Sequence, residues 1–236
     1  MIQGYGLKTF DELDSTNEEA RRLSVAGERG PLWITALRQS AGRGRGERVW
    51  QSDNGNLFAT LLIRPARMKA EWAQLSFAAA IAVADLAAEF APTVSVKWPN
   101  DVLVEGRKVS GILLETAGEG LAIGIGVNLS SHPEGTEFPA ISLAHLPGAQ
   151  PPSPERALTL LAGNFAGWYE TWEKSGFAPV RDAWLARAAG LGGRIRARLP
   201  GRELSGVFEG IDDQGALLLR EAEKLHALAA AEVFFG

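Results

Sequence analysis

Residues 94–129 read VSVKWPNDVLVEGRKVSGILLETAGEGLAIGIGVNL. Val94–Lys97, Val102–Val104, Val109–Glu115 and Leu121–Leu129 are short β-rich runs. Pro99-Asn100-Asp101 sits between the first two, and an Asn-Asp pair after proline makes a rigid turn. The stretch therefore predicts a set of successive strands. Upstream, Leu57–Ile63 and Leu32–Leu37 are strand-like, and Glu71–Phe90 is Ala-rich and helical with Pro92 beyond its end. Ser15-Thr16-Asn17-Glu18 opens a further helix, with capping-box spacing from Ser15 to Glu18 and from Thr16 to Glu19. Downstream, a Pro-rich connection over 131–154 leads to a helix with Leu158, Leu161, Phe165, Trp168 and Trp172 on one face.

The texture changes after Gly190-Leu191-Gly192-Gly193. Arg194–Leu199, Glu203–Phe208, Ala216–Arg220 and Glu232–Phe235 are short alternating runs parted by Pro200-Gly201 and Asp212-Asp213-Gln214-Gly215. The expected organisation is an α+β domain over 1–188 and a small β-barrel over 189–236.

Composition narrows the function classes. The 236 residues are 46% hydrophobic, enough for one sizeable core or a main core with a satellite. A net charge of -4 argues against a nucleic-acid surface covering the whole chain. Without cysteine, disulfides and thiolate metal sites are excluded, which suits a reducing cytoplasm. No secretory signal is visible. The most apolar window, Phe77–Phe90, contains Asp85 and Glu89 and is too short to span a bilayer. His132, His145 and His226 have no metal-ligand spacing, there is no phosphate-loop motif, and Gly124-Ile125-Gly126 lacks the third glycine of a dinucleotide fingerprint.

Three features point to chemistry. Gln39 to Trp50 contains Gly42, Gly44 and Gly46 interleaved with Arg43, Arg45 and Arg48. Glycines allow close approach of backbone, and guanidinium forks suit phosphate and carboxylate oxygens. Such a loop repels itself when empty and is ordered by an anion; a solvated basic loop is the plain alternative. Second, Lys97-Trp98-Pro99-Asn100-Asp101 is followed by Lys108 and Gly111 at the mouth of an apolar run, where a lysine is costly unless it meets an anion. The alternative is an ordinary hairpin with Lys108 as an edge-strand charge. Third, Gly124 and Gly126 bare one strand face, either for a flat ligand or for a neighbouring side chain, with Asn128 at the strand end.

Taken in order, these features resemble the biotin protein ligases, the biotin–[acetyl-CoA-carboxylase] ligases. The resemblance runs through Ser15-Thr16-Asn17, Gln39, Gly42-Arg43-Gly44-Arg45, Trp50, Gly55-Asn56-Leu57, Lys97-Trp98-Pro99-Asn100-Asp101, Lys108, Gly111-Ile112-Leu113 and Gly124 to Asn128, with Gly210 to Leu217 similar to the terminal barrel. It implies a mixed sheet with helices, like the class II aminoacyl-tRNA synthetases and the biotin–lipoate ligase catalytic domain, plus a Src-homology-3-like barrel. It implies ATP and biotin as substrates, magnesium, and the biotin carboxyl carrier protein as acceptor. Ser15, Thr16 and Gln39 would hold the ureido ring, with Asn17 beside them. Gly42, Gly44, Gly111 and Gly124 would admit the ligand. Arg43, Arg45, Arg48 and Trp50 would order over the adenylate. Lys108 would bridge carboxyl and α-phosphate, with Arg45 as a further catalytic cation. Asn100 and Asn128 would address the nucleotide or orient Lys108, and Asp101 would position the acceptor amine. No metal ligand is assigned.

Two departures matter. The family's loop commonly reads Gly-Arg-Gly-Arg-x-Gly-Arg-x-Trp, whereas here Gly46 precedes Glu47, which is expected to pair with Arg45 and Arg48 and loosen their hold on phosphate. The catalytic motif starting at Ser15 leaves no room for the DNA-binding arm of some members, so a ligase without repressor function, DNA partner or membrane contact is expected. A homodimer through sheet edges is left open. The nearest rival is a lipoate ligase; a more distant one is an RNA-binding module.

Overall fold

The computed structural model describes residue 2 and residues 4–235, except for the side chain of Glu47. Its larger sheet has seven strands in the order β1-β2-β3-β7-β6-β5-β4. β1 (Gly6–Leu13) runs parallel to β2 (Leu32–Gln39), and α1 (Thr16–Val25) crosses between them. Every other pairing is antiparallel, through β3 (Leu57–Ile63), β4 (Val94–Lys97), β5 (Asp101–Val104), β6 (Arg107–Ala117) and β7 (Gly120–Val127). The predicted mixed sheet is present, and short hairpin connections explain its β4-β5-β6-β7 part.

All seven residues of β3 are buried, because both faces of the sheet are covered. Leu62 packs with Leu32, Ile34, Ala122 and Ala20 of α1 on one face. Leu57, Ala59, Leu61 and Ile63 point to the other, into the main core with Trp33. There α2 (Leu75–Ala88) lies between the sheet and the helices α3 (Pro154–Ser175) and α4 (Phe177–Leu185). That position accounts for its nearly all-apolar sequence. Its one acid, Asp85, accepts from Trp168 Nε1 (2.8 Å) and pairs with Arg187 (3.2 Å).

The expected helix over 71–90 is in fact a 3-10 segment, Lys69–Gln74, followed by α2. Gln74 is held by side-chain bonds, accepting from Trp172 Nε1 (2.8 Å) and donating to Asp213 O (3.3 Å). The capping boxes at α1 do not form. Ser15 caps by position but makes no side-chain bond to the helix, since Glu18 and Glu19 face Arg21 and Arg22 instead.

The small domain is an antiparallel sheet of β8 (Arg194–Leu199), β9 (Arg202–Ile211), β10 (Leu217–Glu221), β11 (Lys224–Leu228) and β12 (Glu232–Phe235), ordered β11-β10-β9-β8-β12. It shares the main core: Phe208, Ile211 and Leu217 join the same buried cluster as Phe77 and Trp184. Trp98 Nε1 donates to Gly215 O (2.9 Å). Gly215, at φ +82°, presses against Phe77, whose ring would lie 2.6 Å from any Cβ there. Only glycine meets both conditions. This docking sets β12 beside the β4–β5 hairpin and makes it part of the site.

Candidate active site

One end of the site is lined by the uncharged side chains of Ser15, Thr16, Asn17 and Gln39, held in a largely buried hydrogen-bond network. Thr60, in the middle of β3, is fully buried. Its hydroxyl donates to Asn17 Oδ1 (2.7 Å) and lies 2.8 Å from Thr16 Oγ1. Asn17 Nδ2 donates to Glu115 Oε2 (2.8 Å) and Leu113 O (3.3 Å). The backbone N–H of Thr16 donates to Gln39 Oε1 (2.8 Å), and Gln39 Nε2 donates to Ser52 Oγ (3.0 Å). Ser15 N–H donates to Asp14 (2.7 Å), whose carboxyl the Arg22 guanidinium holds at a pKa of about 2. Gly124 faces Thr60 across the β3–β7 ladder. A Cβ there would stand 2.4 Å from Asn17 Oδ1. The neighbouring side chain is thus Asn17, and Gly124 also lines the cavity.

The glycine-arginine loop lies over the middle of the site. Gly44 N–H donates to Arg48 O (2.7 Å) and Trp50 N–H to Gly42 O (2.9 Å), closing the loop on itself. Gly46 takes φ +64° within a 3-10 turn, Arg45–Glu47, so the displaced glycine supplies the left-handed step. The indole of Trp50 lies on Gly126 and Gly111, where added Cβ atoms would come within 2.5 Å and 3.0 Å of its ring. Gly111 thus admits a tryptophan here as well as lining the cavity. Gly42 does not line the cavity. It is fixed by Ser52 Oγ and Trp50 O, which would lie 2.5 Å and 2.6 Å from a Cβ.

The loop's cations do not simply repel one another. Arg43 pairs with Glu18 (2.7 Å) and Glu115 (3.1 Å), and Arg48 with Glu232 of β12 (2.6 Å). These carboxylates come from α1, β6 and the small domain, so their proximity is invisible along the chain. Arg45 has no ion pair among the described residues, and burial lowers its pKa. The expected pairing through Glu47 lies outside the described residues.

At the far end, Lys108 Nζ meets Asp101 Oδ1 at 2.6 Å and stands 5.4 Å over the Trp50 ring. The β5–β6 register slips between Val102 and Leu103, and such a bulge re-aims a side chain. Lys108 N–H donates to Pro139 O (2.8 Å), and Lys108 O accepts from Ile141 N–H (2.9 Å). Lys108 is therefore on an interior strand, and the edge-strand reading is wrong. Asn100 Nδ2 donates to Ile112 O (2.5 Å) and the buried Asn128 Nδ2 to Ile141 O (3.2 Å), so each amide braces backbone next to Lys108.

These parts enclose one cavity of about 400 Å³. Apart from Gly42, all the sequence-predicted site residues line it. Sequence reasoning missed Thr60, which had a signal as the polar residue inside an apolar run. It also missed the contributions of Lys97, Phe138, Glu232 and Phe234, of which only Lys97 lay in a quoted motif. His132 and His145 stack edge to face at 5.1 Å, and no cluster of three metal-ligating side chains occurs among the described residues.

A mixed sheet bearing a polar pocket, a glycine-arginine lid and a small β domain against its mouth is the arrangement of a cofactor–protein ligase. Residues 10–130 match the Biotin/lipoate A/B protein ligase family and residues 190–236 the Biotin protein ligase C terminal domain, and the chain belongs to this family. It is 47% identical to the biotin–[acetyl-CoA-carboxylase] ligase of Paracoccus denitrificans, over 94% of this chain and 98% of that one. It is 33% identical to the bifunctional ligase/repressor of Bacillus subtilis, over 100% of this chain and 75% of that one. The biotin protein ligase of Aquifex aeolicus in complex with biotin and ATP superposes with a TM-score of 0.85 at 26% identity, covering 97% of each chain.

Proposed function

We propose that this ligase converts biotin and ATP to biotinyl-5′-AMP and pyrophosphate, then transfers biotin to a lysine of a biotin carboxyl carrier protein. The reading rests on the polarity of the cavity, which has a neutral donor–acceptor end, a cationic end, and Lys108 between them. A ureido ring offers two N–H donors and a carbonyl acceptor, which match the Ser15, Thr16, Asn17 and Gln39 end. The carboxylate then lies towards Lys108.

In the first step a carboxylate oxygen of biotin attacks the α-phosphorus, and the bond to pyrophosphate breaks. Negative charge must be neutralised while the reactants are held in line. Lys108 exchanges Asp101 for the ligand oxygens, and Arg45 and Arg48 close over the phosphates. Bound with the nucleotide, magnesium would offset phosphate charge. Asp101, Glu137 and Glu232 are the carboxylates lining the cavity that would hold it. In the second step the carrier amine attacks the acyl carbon, AMP leaves, and an amide forms. An ordinary lysine titrates near 10.4, so it arrives charged. Asp101, released from Lys108, would receive that ammonium and orient it as its proton is lost.

We draw the domain boundary near the Val96–Ala188 bridge, with a catalytic unit over 1–188 and a terminal unit over 189–236. No helix of the described residues is long and apolar enough to cross a membrane. We place the reaction in the cytoplasm, a compartment that suits a chain without cysteine.

The test is incubation with biotin, ATP, magnesium and a carrier domain, followed by intact mass measurement. One biotinyl group should appear on the carrier. An unmodified carrier together with lipoylation in a parallel reaction would overturn the reading.

A further inference from the structure

Lys97 ends β4, the strand at the opposite edge of the sheet from the Thr60 network. It is 6% exposed. Its ammonium stands 3.5 Å above the ring of Phe138 and 5.8 Å and 5.9 Å from the rings of Phe234 and Phe235. Three aromatic faces thus enclose it, two of them from the small domain. It faces Asp101 across the β4–β5 ladder, but Asp101 is taken by Lys108. Lys97 has no hydrogen bond and no ion pair among the described residues, although it lines the cavity.

An ammonium largely stripped of water, open only to the cavity and without a paired anion, is unfavourable, and a methionine would fill the same cage without that cost. Burial indeed pushes the Lys97 amine down to about 8. The missing partner must therefore enter through the cavity. Its place follows from strand order. Gln39, Thr60, Gly124, Lys108, Asp101 and Lys97 lie on β2, β3, β7, β6, β5 and β4 in turn across the sheet. With the carboxylate and α-phosphate at Lys108, the next anion outward is the rest of the triphosphate.

We propose that Lys97, caged by Phe138 and the β12 phenylalanines, binds the β- and γ-phosphates of ATP and the pyrophosphate they become. This rests on the adenylation reading above. Lys97 then serves adenylate formation and its reversal, but not transfer, because pyrophosphate has already left. The small domain acts in the first half-reaction by carrying two walls of this cage.

The experiment compares Lys97→Met with the unchanged enzyme, checking first that both bind biotin equally. In the reverse reaction, with biotinyl-AMP and inorganic pyrophosphate, the KM for pyrophosphate should rise about 10- to 100-fold, the effect of losing one charged hydrogen bond. Transfer from preformed biotinyl-AMP to carrier should stay within about twofold. An unchanged KM for pyrophosphate, or an equal loss in transfer, would overturn the proposal. If the variant does not bind biotin, the unchanged enzyme decides: inorganic pyrophosphate should slow acetylation of Lys97 by acetic anhydride, and an unaltered rate would overturn it. Absence of any biotin-dependent ATP–pyrophosphate exchange in the unchanged enzyme would instead sink the adenylation reading itself.

Discussion

The two ends of the cavity solve opposite problems. At the Thr60 end, Thr16, Asn17 and Gln39 are already bonded to each other and to β6. That end is built before ligand arrives, and its polar groups are satisfied because they are buried. At the Lys97 end, among the described residues, Lys97 and Arg45 are left without an ion pair. Lys108 and Arg48 are held by Asp101 and Glu232, whereas Lys97 has only aromatic faces. The first end is arranged to recognise a neutral ring with little reorganisation. The second holds stored electrostatic cost that an anionic ligand relieves, which is how binding energy is directed to the reacting groups.

The largest break in this comparison should come from Lys108→Ala. Adenylation should slow by about 10²–10³-fold, the effect of one lost transition-state donor, while biotin affinity falls less, since Lys108 meets only the carboxylate end of biotin. Biotin-dependent pyrophosphate exchange and calorimetry separate the two. An equal loss in both would mean that the ends are not independent.

Lys97→Met should do the reverse for stability. A lysine with its folded pKa below its unfolded one binds fewer protons in the native state between about 8 and 10.5. Stability therefore rises with pH across that window, and the full penalty is present below it. Asp101 and Glu232 oppose the penalty, and Lys108 and Arg48 add to it. The variant should be more stable at pH 7 by up to about 3 kcal/mol, with the gain fading towards pH 10. Denaturant melts at pH 7 and 9.5 test this; a gain independent of pH would assign it to packing alone.

Thr60→Val probes the preformed end. It leaves Asn17 Oδ1 and Thr16 without their buried partner, at about 1–3 kcal/mol. Biotin affinity should fall by roughly tenfold, while the KM for pyrophosphate should not move. A change in both constants would again join the two ends.

Glu232→Gln should have the smallest effect. In the Arg48–Glu232 pair Arg48 is exposed and the half-buried Glu232 is shared with Arg198, and such pairs contribute less than about 1 kcal/mol. The KM for ATP should change by no more than about threefold, and less at high salt. A tenfold change would show that the small domain restrains the lid strongly.

Much of the fold was legible because period and punctuation were clear. Leu57–Ile63, Val94–Lys97, Arg194–Leu199 and Glu232–Phe235 fall where alternation and turns placed them. β1, α4 and β11 were missed. β1 is an edge strand carrying Lys8, Asp11 and Glu12, which masks its apolar positions, and β11 carries Lys224 and His226. In the site, residue identities were legible but their partners were not. Gly124 and Gly126 were recognisable as a bare face, yet Asn17 and Trp50 lie on them from 107 and 76 positions away.

By itself, the sequence determined most of the strands and helices, the small terminal domain, the loop of arginines and the candidate site residues, while the mixed sheet was what the resemblance implied. The former depend on local period, turn chemistry and residue type, which are written along the chain. Tertiary structure alone decided which charges are satisfied. Asp101 takes Lys108, Glu232 of the last strand takes Arg48, and three phenylalanines leave Lys97 without an anion. Electrostatic partnership depends on distances of a few ångströms between residues far apart in sequence, and only folding sets them.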